Sequence, residues 1–126
     1  MKKVFLVFLA LAILFPLYLS AAQKAAAPPE TIVIKSNVFK TLRYAPVAFS
    51  HKTHSKITCT ECHHKWDKTK QATPKKCDEC HGLKKQGKEL SLKMAFHKNC
   101  RGCHRKMKKE GKTTGPTRCS KCHVKK

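Results

Sequence analysis

One short pattern, Cys-x-x-Cys-His, occurs four times between residue 59 and the C-terminus of this 126-residue chain. In this pattern the two thiols add to the vinyl groups of a haem and the adjacent histidine ligates the iron, which is c-type haem attachment. The repeat therefore predicts four covalently bound haem c groups. The copies use all eight cysteines and four of the eight histidines: Cys59, Cys62 and His63; Cys77, Cys80 and His81; Cys100, Cys103 and His104; Cys119, Cys122 and His123.

Three other uses of paired cysteines fit the pattern less well. Zinc ribbons also contain Cys-x-x-Cys units, but they do not require a histidine directly after every pair. Four disulfides would suit an exported chain, yet they would leave the histidine positions unexplained. Redox motifs of the thioredoxin type occur singly within an α/β pattern. The fourfold placement of histidine therefore favours haem.

The rest of the chain is poor in the side chains that build a core. Beyond residue 22, Leu, Ile, Val and Phe together number 14 of 104 residues, about 13%, below the roughly 20% under which a highly charged chain is expected to be disordered. Porphyrin faces are large apolar surfaces, and their burial supplies the missing driving force. We expect a small, mostly α-helical fold with extensive loops, a core formed by four haems, and no folded state without them.

The N-terminus has the composition of an export signal. Two lysines precede an apolar stretch from Val4 to Leu19, and the small residues Ser20-Ala21-Ala22 follow. This order predicts a signal peptide over residues 1–22 and a periplasmic mature protein. A retained membrane anchor is the alternative, although the apolar stretch is interrupted by Pro16 and is short for a span of about 20 residues.

Three segments precede the first motif. Residues 23–30 are predicted to be a flexible leader, since they contain an alanine run and two adjacent prolines. The haem domain is predicted to occupy residues 31–126. It begins with the β-branched stretch Thr31 to Lys35, which favours a strand. A second extended segment from Asn37 to Pro46 is expected to complete a short N-terminal β-hairpin.

One longer helix is predicted in the second half of the chain. Ser91 is its expected N-cap, its body runs from Leu92 to Met107, and Gly111 and Gly115-Pro116 end it. Four aromatic side chains are expected to pack on haem faces or between haems: Tyr44, Phe49, Trp66 and Phe96.

The histidines outside the motifs match the number of sixth ligands that four haems need. They are His51, His54, His64 and His97. Methionine is the common alternative axial ligand, and it raises the reduction potential of the haem. The two methionines beyond residue 22 could serve two haems at most. Ligation by two histidines predicts low potentials and a closed iron, which favours electron transfer over catalysis.

With these motifs the chain resembles the class III cytochromes c, specifically the tetrahaem cytochrome c3 group of sulfate-reducing and related anaerobic bacteria. The resemblance covers Val47 to Lys126. It rests on four segments: Phe49-Ser50-His51-Lys52-Thr53-His54, Cys59-Thr60-Glu61-Cys62-His63-His64, Ala95-Phe96-His97 and Gly115-Pro116-Thr117-Arg118-Cys119. The last of these is similar to the ending of trihaem members. All four motifs here have two residues between the cysteines, whereas many tetrahaem members have four in the second and fourth.

The resemblance implies a ligand pair for each haem. Carried over by position, the pairs are His51 and His63 for haem 1, His64 and His81 for haem 2, His54 and His104 for haem 3, and His97 and His123 for haem 4. Ligation in this alternating order would tie consecutive haems into one compact cluster.

The charge of the chain bears on its partners. The formal charge of +21 becomes +19 without Lys2 and Lys3, and such a surface steers a carrier toward acidic partners. The resemblance implies a monomeric electron carrier, not an enzyme, that docks beside haem 4 with periplasmic hydrogenase or membrane redox complexes in anaerobic sulfate respiration. A reductase of metal ions or sulfur species, or a subunit of an electron-conducting haem filament, is the alternative. Nucleic acid is not an expected partner of an exported protein.

Overall fold

The computed structural model describes residues 25–124 of the chain. The predicted signal peptide, along with Lys125 and Lys126, lies outside the described residues. The elements in chain order are strand β1 (Thr31–Ile34), strand β2 (Val47–Ser50), helix α1 (Cys59–Cys62), a 3₁₀ turn (Cys77–Glu79), helix α2 (Leu92–Phe96), a π-helical turn (His97–Arg101), helix α3 (Gly102–Lys109) and helix α4 (Cys119–Cys122).

The two strands form an antiparallel hairpin near the N-terminus. Thr31 pairs with Ser50 and Ile34 with Val47, and the β-branched residues of β1 suit a pleated strand. The predicted first strand is confirmed to within one residue. The predicted second segment, Asn37 to Pro46, is wrong, because these residues form turns and bends and the strand follows them. Pro46 has no N–H to donate to a strand ladder, so pairing begins after it.

The helical run from Leu92 to Lys109 is the longest in the described part of the chain and comprises α2, the π-helical turn and α3. It begins at the predicted residue and continues two residues beyond Met107. Ser91 precedes it with extended backbone (φ −61°, ψ 153°), although its side chain makes no capping hydrogen bond. Gly111 follows the run at φ +70°, a left-handed conformation that glycine adopts without the steric strain of a side chain.

Side-chain packing contributes little core to this fold. Leu92, 0% exposed, is the one buried hydrophobic residue among residues 25–124, and its N–H donates to the Gly82 carbonyl at 2.8 Å. Larger apolar side chains such as Leu83 (60% exposed) and Val124 (62% exposed) lie at the surface of the polypeptide. Residues 25–124 therefore have almost no side-chain core of their own, as their composition predicts. Within the described range, no helix has the length and apolarity needed to cross a membrane.

Candidate haem-binding site

The motifs share a local geometry that places their three functional side chains together. In the first, second and fourth copies the backbone N–H of the histidine donates to the backbone carbonyl of the first cysteine and closes one helical turn. The N···O distances are 2.9, 2.9 and 2.8 Å for Cys59, Cys77 and Cys119. The third copy lies within the long helical run. Residues three and four positions apart share one side of a helical turn. Both thiols and the histidine of each motif therefore lie on the same side.

The cysteine thiols have neither a disulfide nor a zinc-type arrangement. All eight cysteines are unpaired, and residues 25–124 contain no group of three or more His, Cys, Asp or Glu side chains that converges into a metal site. Burial of the sulfur raises the pKa of the Cys100 thiol to about 11, although part of this residue stays exposed, and the neighbouring thiols of Cys62, Cys77 and Cys122 add to the shift. These neighbours belong to the other three motifs. The four motifs therefore converge on one small region.

Six of the eight histidine rings are arranged in three pairs, each joining a motif histidine to one outside the motifs. Their ring centroids lie 6.1 Å apart for His54 and His104, 6.1 Å for His64 and His81, and 6.4 Å for His97 and His123. A metal bound between two imidazoles at about 2.0 Å from each nitrogen separates the ring centres by about 6 Å. The three separations therefore fit an iron held between the rings.

For the fourth pair, His51 and His63, the observation is electrostatic. Burial lowers the pKa of His63, and the charge of the nearby His51 lowers it further. In the same way, burial first and His123 second lower the pKa of His97. A lowered pKa keeps the imidazole neutral to lower pH, and the neutral ring is the form that ligates a metal. Three of the four combinations that the resemblance implies thus have their rings at a separation that suits an iron, and the ligand assignment itself stays a prediction.

Comparison with known proteins agrees with this arrangement. Residues 28–123 match the Class III cytochrome C family. The chain belongs to this family. It is 43% identical over 103 residues to cytochrome c3 of Desulfovibrio desulfuricans, covering 77% of this chain and 96% of that one. It is 44% identical over 107 residues to cytochrome c3 of Maridesulfovibrio salexigens, covering 78% and 96%.

A solved structure shares the fold of this class III cytochrome. The di-tetraheme cytochrome c3 from Desulfovibrio gigas superposes with a TM-score of 0.65 at 31% identity, covering 78% of this chain and 98% of that one. The chain is thus a tetrahaem cytochrome c3 with four covalently bound haem c groups. It belongs to a family of electron-transfer proteins that are not, in general, enzymes.

Most of the paired histidines are oriented by a hydrogen bond to the backbone. Because a carbonyl oxygen only accepts, each of these rings carries its proton on Nδ1 and leaves the Nε2 lone pair for a metal. The Nδ1–H groups donate to carbonyl oxygens as follows: His51 to Pro29 at 2.8 Å, His54 to Ser50 at 2.8 Å, His81 to Leu90 at 2.8 Å, His104 to Pro116 at 2.9 Å and His123 to Ala45 at 2.7 Å.

The π-helical turn decides which way His97 points. In an unbroken α-helix, His97 and His104 would lie seven residues apart on nearly the same side. One residue accommodated in the π turn shifts this offset by about 100°. The two rings consequently meet different partners, His123 and His54. Sequence reasoning missed this turn, and nothing in the local sequence marks it.

Three of the four singled-out aromatic side chains lie against predicted ligands. Phe49 stacks on His54 with centroids 4.6 Å apart. Tyr44 lies 5.4 Å from His123, and Trp66 lies edge-on to His63 at 6.2 Å. A cavity of about 510 Å³ opens beside the fourth motif and is lined by Tyr44, Cys119, Ser120, His123 and Val124. Its size is within the usual range for cofactor pockets. Contact of these aromatic rings with haem faces stays a prediction.

Proposed function

We propose that this cytochrome is a periplasmic, low-potential electron carrier whose four haems are each ligated by two histidines. The observation that carries the proposal is the approach of three motif histidine rings to three histidine rings outside the motifs, with centroids 6.1–6.4 Å apart. Two imidazoles close the coordination of each iron, so substrates and small gases have no free position. The function left to such a protein is transfer of electrons between neighbouring haems and on to a partner.

We assign the ligands as the pairing suggests. His51 and His63 bind the iron of haem 1, His64 and His81 that of haem 2, His54 and His104 that of haem 3, and His97 and His123 that of haem 4. Three ring separations of 6.1–6.4 Å support this assignment. The fourth pair is supported by the charge of His51, which, after burial, lowers the pKa of His63.

The partners proposed are acidic redox proteins, such as a hydrogenase that donates electrons and a membrane complex that accepts them. Basic side chains surround the fourth motif, where Arg118 and Lys121 are both exposed. Exposed cations near a haem edge attract an acidic partner over long range and accelerate encounter. Haem 4 is therefore the proposed site of electron entry.

The compartment and domain limits are also proposed from the sequence. Residues 1–22 direct export, residues 23–30 form a leader, and residues 31–126 form the haem domain. Glu30, the last residue of the leader, contacts the haem domain. Its carbonyl accepts a hydrogen bond from the backbone N–H of His51 at 2.8 Å, and its carboxylate pairs with Lys52 at 3.3 Å.

Two measurements on the purified mature protein test this function. Intact mass after denaturation should show four added haems and no free thiol among the eight cysteines. The reduced native protein should be low-spin and should not bind carbon monoxide at neutral pH. Carbon monoxide binding at one haem would show that one of the eight histidines is not a ligand, and saturable turnover of a single acceptor would favour a reductase instead.

A further inference from the structure

The segment from Thr114 to Thr117 closes around one histidine ring, that of His104. The Thr114 hydroxyl donates to the His104 carbonyl at 3.2 Å, and the His104 Nδ1–H donates to the Pro116 carbonyl at 2.9 Å. Between these two bonds, Gly115 lies against the face of the ring. The segment is also tied to the third motif, because the Arg101 Nε–H donates to the Thr117 carbonyl at 3.2 Å.

A side chain at position 115 would collide with this ring. A Cβ added to Gly115 would lie 2.5 Å from Cε1, 2.9 Å from Nε2 and 3.0 Å from Nδ1 of His104. Carbon atoms in van der Waals contact lie about 3.5–4.0 Å apart. The ring or the backbone of the segment must therefore move when any larger residue replaces Gly115. Gly82, which follows His81, differs in this respect, because its Cβ would meet nothing closer than 3.8 Å.

The hydrogen bond that Gly115 permits gives haem 3 a distinctive pair of ligands. His54, whose ring faces His104, also donates its Nδ1–H to a carbonyl, that of Ser50. In each of the other three pairs, one ring donates to a carbonyl, whereas His63, His64 and His97 make no such bond to any residue in the range 25–124. Donation from Nδ1 makes the opposite nitrogen a stronger donor to the metal. A stronger donor stabilises ferric iron and lowers the potential.

We propose that Gly115 is a positioning residue for haem 3. Because Gly115 has no side chain, the His104 ring lies flat against the segment from Thr114 to Thr117 and keeps its hydrogen bond to the Pro116 carbonyl. This hydrogen bond lowers the reduction potential of haem 3. The inference rests on the proposed ligation of haem 3 by His54 and His104. It adds to that ligation a residue that is neither a proposed iron ligand nor a haem-attaching cysteine and that sets the potential of a single haem.

The test compares Gly115→Ala with Gly82→Ala in the mature holoprotein. Redox titrations followed by NMR resolve the four haems through their methyl resonances, whose shifts in the ferric state depend on the orientation of the axial imidazole planes. Gly115→Ala should move the haem 3 methyl shifts and raise the haem 3 potential, with the other haems little changed. Gly82→Ala should leave haem 3 as in the wild type. Unchanged haem 3 methyl shifts and potential in Gly115→Ala would overturn the inference.

A second variant covers the case in which Gly115→Ala does not give a holoprotein. Thr114→Val removes the hydroxyl bond to the His104 carbonyl and adds no atom near the ring, so it should shift the haem 3 methyl resonances by a smaller amount. No shift would count against the inference. The wild-type NMR spectrum separates the ligation of haem 3 by His104 from the positioning role of Gly115. If the His104 ring protons show no contacts to haem 3, the ligand assignment is refuted. If they do show these contacts and Gly115→Ala leaves the haem 3 shifts and potential unchanged, the positioning role alone is refuted.

Discussion

At the scale of single residues, the histidines divide by what holds their rings. Five donate Nδ1–H to a backbone carbonyl at 2.7–2.9 Å, so their orientation is set by the polypeptide before any metal is considered. Their acceptors are spread along the chain, from Pro29 beside the hairpin to Pro116 before the last motif. Such bonds fix the tautomer and raise ligand basicity. Four of the five carbonyls belong to irregular segments and that of Ser50 belongs to strand β2. With the proposed ligation, the irregular connections of this fold therefore take part in setting the haem potentials.

His64 tests the ligand assignment at this scale. Its ring lies 6.1 Å from that of His81, and it is the proposed sixth ligand of haem 2. His64→Met should raise the potential of haem 2, because a thioether donates less to ferric iron than an imidazole does. A redox titration resolved by haem measures this change, with Lys65→Met as a neighbouring control that should leave all four potentials in place. Four unchanged potentials in His64→Met would place His64 elsewhere.

At the scale of elements, the sequence predicts those helices and strands that depend on their own residues. It does not predict features that depend on residues distant in the chain. The motif turns follow from the need for two thiols and a histidine on one side, and β1 follows from its β-branched residues. The predicted position of the second strand is wrong, because Pro46 has no N–H to donate and pairing begins only at Val47. The π turn at His97–Arg101 and the close contact of Gly115 with His104 depend on where other rings lie in space. A single sequence contains no local signal for either.

The π turn gives a prediction about length. Inserting one alanine after Lys98, an exposed residue of this turn, should rotate His97 by about 100° relative to His104, because each further helical residue turns the helix by that angle. His97 would then leave His123, and one haem would lose its sixth ligand. Titration of the reduced protein with carbon monoxide should show one equivalent bound. Lys98→Ala keeps the length of the run, and this variant should bind no carbon monoxide. An insertion variant that also binds none would show that the length of this run does not direct His97.

At the scale of the whole molecule, we expect stability to depend on the haems. Leu92 is the one buried hydrophobic residue within the described range, and the high positive charge opposes compaction of the polypeptide. We expect the apoprotein, produced without haem attachment, to show no cooperative thermal transition by circular dichroism, whereas the holoprotein should unfold in one. A cooperative transition in the apoprotein would mean that the polypeptide has a sufficient core of its own.

Charge at the surface gives the last prediction, which concerns docking. If electrons enter at haem 4, Arg118 and Lys121 act by attracting an acidic partner to that edge over a screening length of about 8 Å at physiological salt. Replacing both by Glu should slow reduction by such a partner and flatten the dependence of the rate on salt, as stopped-flow measurements would show. The four potentials should stay nearly in place, because both side chains are exposed. The matched control, Lys75→Glu with Lys84→Glu, makes the same change of charge beside the second motif. Equal slowing in the two variants would show that only net charge matters and would refute docking at haem 4.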